Sequence, residues 1–310
     1  MRTDTRAYLE LTGAMVLVGS SVVAGKLMAE SLPVFLAGGL SSAIGAAILL
    51  PVLFAREGGL PIVGRRELLV LFLQAFTGIF LFRVLLLWGL LFTSAAESGV
   101  ITSTTPAVVG LISFLFLKER PGPRVWAGIV LAVAGIVALN VLGSGAQGGG
   151  ARGPAPLLGN LLVFGAVVSE ALFTIFGKVA SERVSPLATA VSASVLSLAL
   201  FLPLGLYQAA GFDFSSVGFA GWASVAHYGV FVTALGYLLW FGGLARVPAS
   251  TAGVFTGVLP VSAVMLSYLI LGEPFSWAHP VGGACVLAAI VLIARREPAT
   301  AAAAGSDPPA

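Results

Sequence analysis

The amino-acid sequence predicts an all-α integral membrane protein with ten transmembrane helices, arranged as two inverted five-helix repeats. The first observation is composition: of 310 residues, 58% are hydrophobic and 9% are charged, and the mean hydropathy is +1.04. Soluble domains have roughly 25% charged residues, so most of this surface is expected to face hydrocarbon. The other two observations are ten separate apolar stretches and a sequence repeat that relates the two halves of the chain.

Ten apolar stretches approach the length needed to cross a bilayer as a helix, which is about 20 residues. In chain order they are Leu9–Met28, Leu32–Phe54, Leu68–Phe92, Ala95–Leu117, Val125–Leu142, Leu157–Phe176, Leu187–Tyr207, Gly218–Leu244, Ala249–Leu271 and Trp277–Ala294. They lack the alternation of apolar and polar side chains that membrane strands require. The first stretch follows Arg2 and Arg6 in the manner of a signal peptide, but its match in the second half makes it part of the fold.

The distribution of lysine and arginine predicts how the chain is oriented. With the N-terminus inside, 13 of the 16 basic residues face the cytoplasm, Lys26 and Arg152 lie outside, and Arg83 lies within a span. Cytoplasmic loops have an excess of basic residues, so both termini are expected in the cytoplasm, with the chain crossing a bacterial inner membrane several times. The net charge of +3 is spread over short loops, so nucleic-acid binding is not expected.

The two halves of the chain match each other when one is shifted by 152 to 154 residues. The matches are Gly13-Ala14 with Gly165-Ala166, Gly25-Lys26 with Gly177-Lys178, Glu30 with Glu182, Pro51 with Pro203, Gly99 with Gly253, Thr102 with Thr256, Pro106 with Pro260, Glu119 with Glu273, and Gly128 with Gly282. Because five spans is an odd number, the second copy enters the membrane upside down, as in many secondary transporters. We assign residues 1–142 and 157–294 to the repeats, 143–156 to a flexible linker, and 295–310 to a disordered cytoplasmic tail.

Short motifs at equivalent places in the repeats indicate a family. They are Gly19-Ser20-Ser21 in the first span, Glu97-Ser98-Gly99, Pro106 and Leu117-Lys118-Glu119-Arg120 in the fourth, and Thr251-Ala252-Gly253, Pro260 and Leu271-Gly272-Glu273-Pro274 in the ninth. With these motifs, residues 11 to 294 resemble the EamA branch of the drug/metabolite transporter superfamily. The resemblance implies ten helices in two inverted fives and transport of small molecules. Within that branch, the chain looks most like bacterial exporters of aromatic amino acids and related metabolites.

Two charged residues lie deep within predicted spans. Charge at the centre of a membrane helix costs at least about 2.5–3.5 kcal/mol, so such residues face the bundle interior and mark a site or path. The Arg83 guanidinium is suited to binding a substrate carboxylate through two hydrogen bonds. Glu170 could bind a substrate ammonium or transfer a proton. The alternative for both is a structural ion pair, with Glu170 as the partner of Arg83 or of a lysine.

Polar and aromatic residues in the third and eighth spans form a second group of candidates. The shift of 154 residues pairs Gln74 with Tyr228 and Arg83 with Tyr237, and His227 precedes Tyr228. Aromatic faces would suit a flat apolar ligand; the alternative is core packing or an interfacial aromatic belt, which we favour for Trp88 and Trp240. Ser20 of the first motif and Thr102 of the repeat complete the predicted substrate-binding set.

Other polar residues and two prolines are assigned gating or structural roles. Snorkelling to the interface accounts for Lys26 and Lys178, although their equivalence in the repeat also suggests packing or gating. Glu97 is expected to cap the fourth helix. Pro106 and Pro260 are predicted in the middle of their helices, where each would remove a backbone hydrogen bond and bend the helix beside a cavity.

These candidates predict an exporter of small amphipathic metabolites, with amino acids, especially aromatic ones, as the favoured class. The site is expected between spans 1, 3, 4, 6, 8 and 9. The alternatives are an uncoupled facilitator, an exporter of other metabolites or of cationic drugs, and, remotely, an intramembrane enzyme. For an enzyme, paired aspartates within the spans are missing, and His227 has no serine at a recognisable motif spacing.

The sequence also bears on cofactors and energy coupling. It has no P-loop, so ATP-driven pumping by this chain is disfavoured. Cys285 is the single cysteine, and the two histidines, His227 and His279, are far apart, so neither a disulfide nor a metal site is expected. We predict no cofactor, a small-molecule substrate and the lipid bilayer as partners, and proton coupling through Glu170 as an open option.

Overall fold

The computed structural model describes residues 2–29, 31–59, 63–92, 101–102, 104–144, 155–266, 269 and 278–294. These residues form helices and short connections, without a strand among them. The helices are α1 Arg2–Ala29, α2 Val34–Glu57, α3 (Arg65–Ala75, Phe76–Leu81 and Phe82–Phe92), α4 Thr105–Phe116, α5 Pro123–Ser144, α6 Pro156–Ala180, α7 Pro186–Ala209, α8 (Phe219–His227, Tyr228–Gly236 and Tyr237–Leu244), α9 (Ala249–Phe255 and Val258–Leu266) and α10 Ala278–Ala294.

These ten helices confirm the predicted fold class. Among the described residues, five helical stretches are long and apolar enough to cross a membrane, and four more apolar helices are shorter; the five are Val34–Glu57, Arg65–Leu86, Leu157–Ala180, Pro186–Ala209 and Phe219–Leu244. The fourth span was predicted from Ala95, but residues 93–100 lie outside the described part, and Glu97 with them. The same holds for 145–154 of the predicted linker and for the predicted tail, 295–310.

The helix contacts follow the two-fold relation expected of an inverted repeat. Repeat-equivalent helices pack on each other, α2 along α7, α5 along α10 and α4 against α9. Other large contacts occur in equivalent pairs, because α1, α3 and α4 of the first half correspond to α6, α8 and α9 of the second. Thus α3 packs on α6 and α8 packs on α1, and likewise α4 packs on α6 and α9 packs on α1. The first predicted span is therefore an integral part of the bundle.

Helices α3 and α8 depart from α-helical geometry at equivalent positions. Each has a π-helical segment, Phe76–Leu81 in α3 and Tyr228–Gly236 in α8. Adding the repeat shift of 154 residues to the first segment places it within the second. π-Helical turns are rare, and those that occur are often at functional sites. Their presence at equivalent positions of α3 and α8 therefore supports related roles for these two helices.

Helices α4 and α9 are interrupted at equivalent positions, which corrects the predicted setting of the two prolines. In α4, Thr104 precedes the helix and Pro106 lies in its first turn. In α9, Thr256 and Gly257 separate the two helical segments, and Pro260 is the third residue of the second segment. Both prolines were predicted in mid-helix, but each lies in the first turn of a helical segment. Because the N–H groups of a first turn have no acceptor within the helix, a proline there removes no helical hydrogen bond.

One end of the bundle is joined by polar contacts between the two halves, and we call it the charged face. Arg246 pairs with Glu10, and Arg183 pairs with Glu67 at 2.9 Å. Exposed ion pairs are worth at most about 1 kcal/mol each, so packing matters more. Directly beneath them lies the largest apolar core, whose fully buried members include Leu11, Leu49, Leu53, Phe241, Leu244 and Phe255.

Two helix ends at the charged face are capped by side chains from elsewhere in the chain. The Glu119 carboxylate accepts bonds from the backbone N–H groups of Ala249 and Ser250 at 2.8 and 3.1 Å, and from the Ser250 hydroxyl at 2.8 Å. It thereby caps the start of α9. The Lys178 ammonium donates to the carbonyls of Leu244 and Ala245 at the end of α8, at 3.1 and 3.5 Å. Glu119 belongs to the first half and α9 to the second, so this cap also joins the halves.

Candidate functional site

A cavity of about 270 Å³ lies between α1, α2, α3 and α8. Each of these helices contributes residues remote from its end at the charged face, so the cavity lies toward the opposite face. Its lining consists of apolar side chains, one hydroxyl from serine, one phenol and one guanidinium, from Ser21, Gly25, Met28, Leu32, Val34, Ala37, Phe82, Arg83, Leu86 and Tyr228. Apolar walls with a few converging polar groups are the usual composition of a small-molecule site.

The Arg83 guanidinium is held by uncharged groups. Its Cζ atom lies 5.2 Å from the centre of the Phe201 ring and 5.9 Å from that of Tyr228, within the range of cation–π attraction. Its Nη2 atom donates to the Tyr228 hydroxyl at 3.3 Å. Among the described residues, Arg83 forms no ion pair with an aspartate or glutamate, so the alternative of a structural ion pair finds no support there.

The absence of a side chain at Gly38 leaves the space that the Arg83 guanidinium occupies. A Cβ atom built on Gly38 of α2 would lie 2.6 Å from Arg83 Nη1, which is too close for a stable contact. Guanidinium groups have five N–H donors, and among the described residues Arg83 donates one side-chain hydrogen bond, to Tyr228. Because the group also lines the cavity, its remaining donors are suited to a bidentate bond with an anion.

Ser20 and His227 form a hydrogen bond between α1 and α8, next to the cavity-lining Ser21 and Tyr228. The Ser20 hydroxyl and His227 Nε2 are 2.8 Å apart, and the same hydroxyl donates to the Leu17 carbonyl at 2.6 Å. No serine lies at a recognisable motif spacing from His227, and the partner that the fold supplies, Ser20, is distant in sequence but adjacent in space.

This pair differs from the arrangement of a catalytic triad. The Ser20 hydroxyl has one proton, and the Leu17 carbonyl at 2.6 Å competes for it with His227 Nε2 at 2.8 Å. In the part of the chain that the structure describes, no carboxylate bonds to the other ring nitrogen to orient His227, as a catalytic triad would require. The pair therefore joins α1 and α8 by a hydrogen bond at the edge of the cavity.

Glu170 lies elsewhere, at the contact between α6 and α4. Its carboxylate accepts a bond from the Thr105 hydroxyl at 3.1 Å, and that hydroxyl also donates to the carbonyl of Thr102 at 2.8 Å. Glu170 is not among the residues that line the cavity, and no lysine or arginine pairs with it within the described residues. Glu170 was predicted within a span, and its carboxylate lies beside the interrupted start of α4 and forms no ion pair with Arg83 among the described residues.

Gln74 and Tyr237 do not line the cavity. Gln74 is fully buried, its side-chain amide lies near Gly177 of α6, and neither amide atom has a hydrogen-bond partner among the described residues. Tyr237 lies in an aromatic cluster with Phe173 and Phe241, at ring separations of 6.4 and 5.9 Å. This placement favours core packing for Tyr237, whereas core packing does not explain the unpartnered amide of Gln74.

The remaining candidates divide between structural contacts and the undescribed part. Lys178 caps α8 as described above, whereas the side chain of Lys26 lies outside the described residues. The two tryptophans differ: Trp88 is 61% exposed, as an interfacial belt requires, but Trp240 is 3% exposed, so the belt prediction for Trp240 was wrong. Depth along a helix does not reveal which way a side chain points.

Sequence reasoning missed three residues that define these environments: Phe201, Gly38 and Thr105. Phe201 and Gly38 lie on α7 and α2, outside the helices expected to form the site, and an apolar chain offers no signal for either. Thr105 could have been found, because it belongs to the hydroxyl-rich run from Thr102 to Pro106 within an apolar span.

Comparisons with known proteins support the fold and the family resemblance. A sequence model described as the EamA-like transporter family matches residues 5–141 and 157–295. The uncharacterized transporter YetK of Bacillus subtilis (strain 168) is 45% identical over 294 residues, which are 94% of this chain and 88% of that protein. A probable terminal-alkyne amino-acid exporter of Streptantibioticus cattleyicolor is 29% identical over 233 residues, 74% of each chain.

A solved crystal structure has the same fold. It aligns with a TM-score of 0.77 over 92% of this chain and 97% of its own, at 21% sequence identity. At that identity, the match concerns the arrangement of the helices alone.

Proposed function

The chain belongs to the EamA-like transporter family, and from that premise we propose that it exports small amphipathic metabolites from the bacterial cytoplasm by alternating access. Amino acids, including aromatic ones, are the favoured substrates. A relative described as a probable exporter of an amino acid supports this choice. In the proposed orientation both termini and the charged face are cytoplasmic, because most basic residues lie at that end.

The observation that best supports this function is the Arg83 guanidinium on the wall of a largely apolar cavity. Among the described residues this membrane-embedded charge has no acidic partner, and a charge within a membrane span is a functional candidate by default. Here it offers N–H donors to a ligand carboxylate, while the apolar lining suits a side chain. Tyr228 and Phe201 fix the orientation of the guanidinium, which lowers the entropy lost on binding.

The conformation fits one state of an alternating cycle. The charged face is joined by Glu10–Arg246, Glu67–Arg183 and the Glu119 cap, while the cavity lies toward the other face. In the proposed orientation, this is a state closed to the cytoplasm. Release of these contacts, with bending at the interruptions of α3, α4, α8 and α9, would then open the cytoplasmic side.

Energy coupling is a separate proposal, centred on Glu170. This carboxylate lies in a helix interior and bonds to a hydroxyl rather than to a cation, so it is the candidate for proton transfer. An uncoupled facilitator is the alternative. Accumulation of substrate against its gradient in proteoliposomes with an imposed pH difference, abolished by an uncoupler, would support coupling; equilibration alone would favour the facilitator.

The test of the proposed function is counterflow in proteoliposomes that contain only this protein. Vesicles are loaded with unlabelled phenylalanine, and uptake of labelled phenylalanine is compared with protein-free vesicles and with a panel of unlabelled competitors. We expect saturable, competable exchange. Absence of exchange by folded, inserted protein would contradict the assignment to aromatic amino acids.

A further inference from the structure

We infer that the cavity recognises its ligand by one carboxylate and an apolar body, so that the preferred substrate class is small apolar monocarboxylates and the amino group is not required. This inference rests on the proposed function and refines its substrate class: among small amphipathic metabolites, it ranks those with a carboxylate and no ammonium above the amino acids. The first step is charge. Among the described residues, Arg83 is the charged group that lines the cavity, and no aspartate or glutamate lines it.

The second step concerns the carboxylate that was expected to bind an ammonium. Glu170 bonds to Thr105 at the contact between α6 and α4, whereas the cavity is formed by α1, α2, α3 and α8. Arg83 is turned toward α2, α7 and α8, where it meets Gly38, Phe201 and Tyr228. In this conformation Arg83 lies at the cavity and Glu170 lies at the contact between α6 and α4.

The third step is the cost of an ammonium in this cavity. The ammonium of an α-amino acid is two bonds from its carboxylate carbon, so binding the carboxylate to Arg83 brings a second positive charge near the guanidinium. Burying a charge without a partner is strongly unfavourable, and like charges in an apolar site repel. The hydroxyl groups of Ser21 and Tyr228 offset this only in part. A ligand with the same body and carboxylate but no amino group avoids the cost.

The fourth step is size. A volume of about 270 Å³ is slightly below the usual range of roughly 300–1,000 Å³ for ligand pockets, so the cavity suits a ligand with one ring or a short chain. The side chains of Met28, Leu32, Phe82 and Leu86 supply apolar walls. Lipophilic cations are disfavoured as well, because they would meet Arg83 and, among the described residues, no carboxylate lines the cavity.

Three compounds that share a phenyl group separate the possibilities. Phenylalanine has both charges, 3-phenylpropanoate has the carboxylate alone, and 2-phenylethylamine has the ammonium alone. Each is tested as a competitor of labelled phenylalanine counterflow at pH 8, where the acid is ionised, and protein-free vesicles report passive leak. Each is also tested for its effect on the melting temperature of the purified protein, so that binding is measured independently of transport.

We expect 3-phenylpropanoate to compete at least as well as phenylalanine, and 2-phenylethylamine to need at least about tenfold higher concentration, the ratio that corresponds to about 1.4 kcal/mol. Stabilisation against heat should follow the same order. Arg83→Gln should abolish the advantage of the acid while leaving the melting temperature of the free protein within a few degrees. Arg83→Lys, which keeps the charge without the planar fork, should retain part of it.

The outcomes separate this inference from the proposed function. If phenylalanine is exchanged but 3-phenylpropanoate neither competes nor stabilises, the inference is overturned and the proposed function stands. Equal competition by 2-phenylethylamine also overturns it. If phenylalanine is not exchanged but 3-phenylpropanoate stabilises the wild type and not Arg83→Gln, the inference stands and the assignment to amino acids fails. If no compound is exchanged or stabilises the protein, both are wrong.

Discussion

Replacing Gly38 with alanine should weaken substrate binding without weakening the fold. The new Cβ would lie 2.6 Å from Arg83 Nη1 and 3.4 Å from the Phe201 ring. The first distance forces a shift, and the atom that yields is the end of a flexible side chain. The guanidinium therefore moves from its position over the Phe201 ring, while the second distance is an ordinary contact.

The size of the effect follows from the bonds at stake. A hydrogen bond to a charged group contributes about 1.5–3 kcal/mol, so losing one of two Arg83–carboxylate bonds should raise KM roughly 10-fold to 150-fold. The matched control is Gly39→Ala, where the nearest atom to the new Cβ is Phe201 Cβ at 3.9 Å. Both changes place alanine in the same helix, so both should stabilise it alike, by about 0.5–1 kcal/mol before the local contacts are counted.

The assay is phenylalanine counterflow for KM and thermal melting for stability, on wild type, Gly38→Ala and Gly39→Ala. Gly39→Ala should have the wild-type KM and a melting temperature slightly above that of the wild type. The reasoning would be refuted if Gly38→Ala had the KM of Gly39→Ala, because Arg83 would then not be positioned by the missing side chain. A large loss of melting temperature in Gly38→Ala would likewise show that the backbone, not Arg83, absorbs the strain.

Three further predictions concern the other polar groups. Glu119→Ala removes the cap of α9, which is worth about 0.5–2 kcal/mol; hydrogen–deuterium exchange should rise in peptides covering the start of α9 and stay unchanged in α2, and unchanged exchange at α9 would refute the cap. Glu170→Gln should abolish uncoupler-sensitive accumulation but retain counterflow, whereas loss of both would assign Glu170 to binding. His227→Phe should keep counterflow and lower the free energy of unfolding by only about 0.6 kcal/mol, the average for hydrogen bonds between membrane helices. Ser20→Ala should have no added effect in the His227→Phe background. Loss of counterflow with unchanged stability would instead give the pair a role in transport.

The fold was predictable because its signals are long and redundant. Ten apolar stretches of helical length and nine matches in register set the helix number and the inverted repeat, and the contacts of α2 with α7 and α5 with α10 agree with them. Local interruptions were not predictable in the same way. The choice between α and π turns in α3 and α8 depends on tertiary packing, and Pro106 gives the same signal whether it bends a helix or begins one.

The candidate site was predictable by residue type but not by geometry. Arg83 and Glu170 were found because charge is rare in an apolar span, yet the sequence does not say which side of its helix a residue occupies. Arg83 consequently meets Phe201 and Tyr228, and Glu170 meets Thr105. The hydrogen bond between Ser20 and His227 joins residues 207 positions apart, and one sequence without an alignment gives no signal for such a pair.

The central claim is that the Arg83 cavity is the substrate site and faces outward in this conformation. Its most direct test is thiol labelling of Gly25→Cys in a Cys285→Ser background. Gly25 lines the cavity and has room for a side chain. Gly211→Cys, an exposed loop position that also has room, is the control.

Both thiols should react with a membrane-impermeant maleimide added from outside. Saturating phenylalanine or 3-phenylpropanoate should slow the reaction at position 25 severalfold and leave position 211 unaffected. Reaction at position 25 that a transported substrate does not slow, or that occurs only from the cytoplasmic side, would contradict the account.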